Sequence, residues 1–333
     1  VSTGNEADDA PDFARNEGEF GSGEVPSEYE TDESVEEYKT TAQRVAGVLK
    51  RDKLALAGAI VVVAFVLTAV FAPYIAPHGP EEQFGFMQEP MSQSTGDFDG
   101  DGSVETVTHY LGTDDFGYDV LTRIVYGSQI SLLVAFATVA FAFTVGTTLG
   151  VLAGFYGGWI DTLVMRGVDF VWAFPTIILG VGVIAVMGGL GWVNVVVAIG
   201  IAFVDDFARI IRGEVLSIRE EEYITAARAV GMDDGRIMFR EMLPNAVSPL
   251  IVQATLMVPF AILGEASLSF LGLGVKPTTP TWGLLISGGR GFISQAWWIS
   301  VMPGLAIMAV VLAFNTLGDG LRDAFDLSEG EVN

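Results

Sequence analysis

The chain contains no cysteine, which excludes disulfides, thiolate metal sites and thiol nucleophiles. Lysine is nearly as scarce. Lys39, Lys50, Lys53 and Lys276 stand against 13 arginines, and none follows a glycine, so no GxxxxGK[ST] phosphate loop exists. Only two histidines occur, His78 and His109, both in one polar loop. They have no visible partner set for metal binding or nucleophilic work and read as ordinary loop residues. No Ser/His/Asp arrangement or paired carboxylate stands out, so the chain does not read as an enzyme and is expected to bind no cofactor of its own. Basic charge is also short: 17 Lys and Arg face 41 Asp and Glu, a net charge of −24. That balance argues against nucleic acid as a partner. An acidic, lysine-poor, cysteine-free chain fits a high-salt environment, where at ~1 M salt the Debye length falls to ~3 Å and like charges hardly repel.

Charge of any kind is missing from long stretches. Half of the residues are hydrophobic and the mean hydropathy is +0.47, the composition of a polytopic membrane protein. Residues 54–72 carry no charge. At about 1.5 Å per residue, that stretch crosses a hydrocarbon layer of about 30 Å. Further spans are expected near 130–154, 170–187, 192–211, 246–268 and 296–317. Gly188-Gly189-Leu190-Gly191 divides the uncharged run 170–204 into two of them. Lys and Arg beside a span resist translocation. With both termini inside, 14 of the 17 Lys and Arg are cytoplasmic and only Arg123, Lys276 and Arg290 are external. The expected architecture is therefore all-α and polytopic, with six transmembrane helices in the plasma membrane and both termini cytoplasmic. Residues 1–43 read as a disordered acidic cytoplasmic tail, 44–328 as the domain embedded in the lipid bilayer, and 329–333 as a short inner tail.

Several places in this frame carry polar candidates. The external loop 73–129 includes the acidic insert 97–105. There Asp97, Asp99, Asp101, Ser103 and Glu105 surround Gly102 at spacings like those of a calcium loop, but Thr108 stands where a bidentate Glu would close it. A solvated acidic turn and a weak Ca²⁺ site are the two readings. Gly146, Gly150 and Gly154 make a small-residue face for close helix packing. Asp205 and Asp206 lie within a turn of Arg209, with pairing or a pathway role as alternatives. Glu265, near a span end, is a pathway candidate or a residue that fixes its helix by hydrogen bonds to its neighbours.

The most basic loop, 212–245, carries Arg212, Arg219, Arg228, Arg236 and Arg240. In it Tyr223, Ala226, Ala227 and Val230 recur at helical spacing as one apolar stripe, with Glu221, Glu222, Thr225 and Arg228 on the other side. Gly231 is placed to end that helix and Asp233 to cap a second one. Pro244 is placed to break the chain before the next span. Such an element docks a soluble partner or lies on the bilayer surface.

Thr225-Ala226-Ala227, Gly231 and Leu243-Pro244 resemble the EAA loop of ABC importer permeases. Thr225 stands where that family has Glu, and Glu221 and Glu222 lie one turn earlier. Three more stretches resemble the dipeptide/oligopeptide/nickel branch of the family, C-type subunit. They are Leu111-Gly112-Thr113-Asp114 with Gly117, Asp119 and Arg123; Glu265 with its neighbours in 264–274; and 314–323. Tyr118 stands where that branch usually has Arg. The resemblance covers roughly 45–328. The composition points to a halophilic archaeal source, while the resemblance implies a type I ABC importer permease fold and a paralogous B-type permease. It also implies two ATP-binding subunits that hold the ATP, and an external solute-binding protein. Peptides are the substrate it implies first, nickel or another small solute second. From other classes, a gradient-driven transporter or a membrane scaffold remains. The former is expected to show a half-to-half repeat or central charges, and neither is clear.

Overall fold

The computed structural model describes residues 47, 52–98, 104–276 and 278–330, the side chains of 326–330 excepted. The acidic tail 1–43, the flanking Arg44, Lys50 and Arg51, Asp99, Asp101, Ser103, Pro277 and 331–333 lie outside the described residues. Helix α1 (Lys53–Val70) begins where the Asp52 side chain accepts the Leu54 N–H at 2.8 Å. It is apolar all round, and only Ala55 and Gly58 are buried, as suits a helix sheathed in lipid. It leans on the last helix through Gly58, where an added Cβ would strike the Ala313 carbonyl oxygen at 2.6 Å.

A two-stranded antiparallel hairpin follows: β1 (Ser92–Gly96) and β2 (Glu105–His109), with Ser92 opposite His109 and Gly96 opposite Glu105. Helix α2 (Val120–Tyr156) starts at Val120 rather than near 130. Asp119 caps it, accepting the Thr122 N–H at 2.8 Å. In its polar first turns Gln129 Nε2 donates to the Ala69 carbonyl at 2.8 Å, and Arg123 lies 3.8 Å from Asp114.

The expected single span at 170–187 is instead a broken pair, α3 (Gly158–Trp172) and α4 (Thr176–Met187), bent by 99°. The cause is Pro175, which has no N–H to continue α3 and disfavours helical geometry at Phe174. Helix α5 (Trp192–Arg219) runs past the expected end at 211. It packs along α2, and the glycine face predicted for α2 is the contact. A Cβ at Gly146 would lie 2.6 Å from the Val204 carbonyl oxygen, and one at Gly154 3.1 Å from that of Arg212. Next come α6 (Glu222–Ala229), α7 (Ser248–Phe270), α8 (Trp282–Gly289) and α9 (Trp298–Gly330). The sequence reading has no counterpart of the hairpin or of α8, which lies in the stretch expected as plain external loop.

Among the described residues four helices, α1, α2, α7 and α9, are long and apolar enough to cross a membrane, and the bent α3–α4 pair makes a fifth where it is one span. Helix α5 is long enough, but every 18-residue stretch of it holds at least three charged residues, Asp205, Asp206 and Arg209 among them. In chain order these elements correspond to the six expected spans. One apolar core joins them, from Val134 and Ala142 of α2 through Phe207 and Ile211 of α5 to Ile262 of α7 and Phe314 of α9.

Candidate functional site

The basic loop folds as a short helix set off the end of α5. Helix α6 ends as the sequence implies. Gly231 takes a left-handed φ of +78°, its N–H donates to the Arg228 carbonyl at 3.0 Å, and the Met232 N–H reaches the Ala227 carbonyl at 3.1 Å. That pair of bonds satisfies the last carbonyls of the helix. Asp233 then accepts the Gly235 N–H at 3.1 Å. Pro244 does not break the chain cleanly. A π-helical turn, Ile237–Met242, runs into the short helix Leu243–Ala246, and α7 begins at Ser248. A proline without an N–H cannot bond back to residue 240, and the wider turn comes just before it.

The stripe expected over Tyr223, Ala226, Ala227 and Val230 is divided. Ala227 turns inward with Ile224, and both join the common core. Tyr223, Ala226 and Val230 face out, Val230 at 79% exposure. Glu221, Glu222, Thr225 and Pro244 are exposed as well, and Leu243 is half-buried on the core. The loop is fastened to the end of α2. The Arg228 guanidinium lies 5.4 Å from the Phe155 ring centre, and Arg219 Nη1 donates to the Gly154 carbonyl at 3.3 Å. Nearby, Arg212 donates two bonds to Asp161, 2.5 and 2.7 Å long, tying α3 to α5. Arg209 lies 3.9 Å from Asp205, the pairing the sequence suggests, but its shorter bond of 2.7 Å goes to Asp169.

Glu265 is fully buried within α7. Ser269 Oγ donates to Oε1 at 2.6 Å and Ser131 Oγ, from α2, donates to Oε2 at 3.4 Å. The Thr281 hydroxyl adds a further bond, and the Trp282 N–H donates to Ser131 Oγ at 3.2 Å. The carboxylate thus joins α2, α7 and the start of α8. Trp282 itself is fully buried, and its Nε1–H donates to the Ile124 carbonyl at 3.0 Å.

The hairpin end of the molecule is built on Thr113 and Asp114. Asp114 Oδ1 accepts the N–H groups of Phe116 and Tyr118, each at 2.9 Å, and Trp298 Nε1–H donates to the Thr113 carbonyl at 3.1 Å. Burial pushes the Asp114 carboxyl above the ordinary aspartate range, against those bonds and Arg123. Tyr118 lies under the Arg123 guanidinium, 4.7 Å from ring centre to carbon. These groups line a cavity of about 630 Å³ with Glu81, Leu284 and Ile299. Asp97 and Glu105 sit at the two ends of the hairpin turn, not in a helix–loop–helix. The histidines are not isolated loop residues. His78, His109 and Asp119 offer ligand atoms all within 4.8 Å of one another. Only the folded hairpin brings them together, so spacing alone carries no sign of it.

Comparison with known proteins gives a consistent picture. The model of the binding-protein-dependent transport system inner membrane component matches residues 146–328. That of the N-terminal TM domain of oligopeptide transport permease C matches 40–90. The dipeptide transport system permease protein DppC of Alkalihalophilus pseudofirmus is 46% identical over 278 residues, 84% of this chain and 87% of that protein. The di/tripeptide permease DppC of Pseudomonas aeruginosa is 41% identical over 276 residues, 83% and 88% of the two chains. The glutathione transport system permease GsiD of Pectobacterium atrosepticum is 40% identical over 276 residues, 83% and 87%. Among solved structures, an inward-facing MetNI methionine ABC transporter chain aligns with a TM-score of 0.50 at 22% identity, covering 61% of this chain and 96% of that one.

Proposed function

The chain belongs to the binding-protein-dependent transport system inner membrane component family, and from that membership we propose that it is the C-type permease of an ATP-driven peptide importer. It is a multi-pass membrane protein that works with ATP-binding subunits and a further permease. The finer assignment has four parts: a paralogous B-type permease shares the pathway, two ATP-binding subunits dock at the α6 end, an external solute-binding protein delivers peptide at the hairpin end, and both termini are cytoplasmic. The peptide-transporting relatives support the substrate class.

One observation carries the coupling role. Helix α6 has its inner residues, Ile224 and Ala227, in the core shared with α2, α5 and α7, while Tyr223, Ala226 and Val230 stay uncovered. A push on the outer face is therefore delivered into close-packed helices, which move as units rather than yielding locally. The two small residues Ala226 and Ala229 let a partner's backbone come near, and Glu221, Glu222 and Arg228 edge that face with charge. Closure of the ATP-bound motor then biases the spans between inward and outward access, a two-state element shifted by its ligand.

The test is affinity purification of the full chain from its own membranes in mild detergent, followed by mass spectrometry. P-loop ATPases and a second permease are expected to co-purify. A chain recovered alone, under conditions that keep known complexes intact, would overturn the importer assignment in favour of a gradient-driven transporter.

A further inference from the structure

We propose that His78, His109 and Asp119 form a binding site for a zinc-class divalent cation at the hairpin end of the chain, separate from the coupling machinery.

The geometry is close to what such an ion needs. Zinc takes imidazole nitrogen and carboxylate oxygen at about 2.0–2.2 Å, so tetrahedral ligand atoms lie about 3.3 Å apart. His109 Nδ1 and Asp119 Oδ1 are already 3.1 Å apart, and the His78 ligand atom lies within 4.8 Å of both. A shift of roughly an ångström or two in the His78 side chain closes the triangle.

The hydrogen bonds around the site fix the outer side of His109. Ser94 Oγ donates to Gln88 Oε1 at 2.8 Å, so its proton is committed there. At 3.0 Å from the same hydroxyl oxygen, His109 Nε2 must then be the donor. With Nε2 turned to that hydroxyl, His109 Nδ1 faces the Asp119 carboxylate. A proton or a metal ion holds these two atoms at 3.1 Å. Beside them, His78 Nε2 is buried and has no hydrogen-bond partner. Three side chains able to ligate a metal therefore converge.

The surroundings are those of a built site. His109 and Asp119 are 0% and 2% exposed. Phe84 covers both rings, with its centre 4.9 Å from that of His78 and 4.6 Å from that of His109, and Phe98 backs it at 4.7 Å. Beneath that apolar cover, a nitrogen left without a partner, as His78 Nε2 is, is costly. Outer partners orient both inner ligands, as metal sites require: Ser94 holds the far nitrogen of His109, and the Thr122 N–H holds the second oxygen of Asp119 at 2.8 Å. Two imidazoles and one carboxylate suit zinc and its neighbours, whereas calcium and magnesium take six or more oxygens. A bound ion would staple three separate pieces: the segment after α1, the end of β2 and the cap of α2.

The experiment uses the full chain in detergent, purified with a tag free of histidine, stripped with a chelator and dialysed against chelator-buffered Zn²⁺. The wild type is expected to retain about one zinc per chain, with two imidazole nitrogens seen at the zinc absorption edge. His78→Gln removes a ligand from the margin of the site without touching the α2 cap. It is expected to weaken zinc binding at least about tenfold while circular dichroism stays unchanged. His109→Gln and Asp119→Asn lie deeper and are read only where circular dichroism shows them folded. A wild-type chain that emerges zinc-free overturns the proposal, and places a proton, not a metal, between His109 and Asp119. Equal zinc affinity in His78→Gln overturns it too.

Discussion

A carboxylate inside a membrane protein is costly unless both oxygens are occupied. Glu265 meets that condition with Ser131, Ser269 and Thr281. Its place near a span end makes it a candidate from sequence alone. Its partners are not readable there, because Ser131 is 134 positions away on another helix. The two readings of Glu265 now part experimentally. If it latches α8 to α2, Glu265→Ala leaves two buried serine hydroxyls without an acceptor, at a cost of about 1–3 kcal/mol. The melting temperature of the detergent-purified protein should then fall, and Glu265→Gln, which keeps one acceptor oxygen, should fall less. If it lines the pathway instead, transport is lost in Glu265→Ala with melting unchanged. The same lesson applies to His78 and His109. Residue type and spacing are silent about them, and the meeting of three ligand atoms appears only once β2 has paired with β1.

At the scale of elements, the legible features are those that local chemistry decides. The left-handed cap at Gly231 and the turn at Asp233 depend on residues within five positions, and both form as the sequence implies. The glycine face of α2 is legible for the same reason. The inner and outer sides of α6 are not, because eight residues with a broad apolar stripe can rotate until the core decides. Ile224 wins the inner position, being larger than any alanine, and Ala227 follows it one turn later. That rotation yields paired predictions. Ala226→Trp places bulk on the uncovered face. It should abolish stimulated ATP hydrolysis by the reconstituted complex while leaving the melting temperature as in the wild type. Ala227→Trp forces the same bulk into a packed core, where overpacking costs typically about 1–3 kcal/mol, and should lower the melting temperature first. Equal ATPase stimulation by Ala226→Trp and wild type would show that α6 is not the docking element. The break in the third span belongs here as well. Hydropathy sees an unbroken apolar run through 170–187, and only the missing N–H of Pro175 turns it by 99°.

For the whole molecule, apolar runs and the distribution of arginine carry most of the architecture. Six expected spans in order, with a basic loop between the fourth and fifth, follow from them, and four helices and a bent pair among the described residues meet the length and hydropathy of a span. What escapes is the hairpin, built from polar residues with no hydropathy signal, and α8, apolar but only eight residues long and so too short to stand out as a span. Orientation is the property that ties the two ends to the proposed function, in which the motor and the delivery of solute lie on opposite faces. The proposed orientation, drawn from the positive-inside asymmetry, has α6 in the cytoplasm and the hairpin outside. The absence of cysteine makes this directly measurable, since any single cysteine introduced is the only thiol in the chain. Val104 and Val230 are suitable positions, 74% and 79% exposed, at the start of β2 and beside the α6 face. In intact cells an impermeant maleimide should label Val104→Cys and leave Val230→Cys untouched until the membrane is opened. The reverse pattern would put the coupling face outside, where no ATP-binding subunit could reach it. Labelling of both from one side would mean that the number of crossings between them is even, and α5, with its charged residues, would be the first element to lose its place as a span.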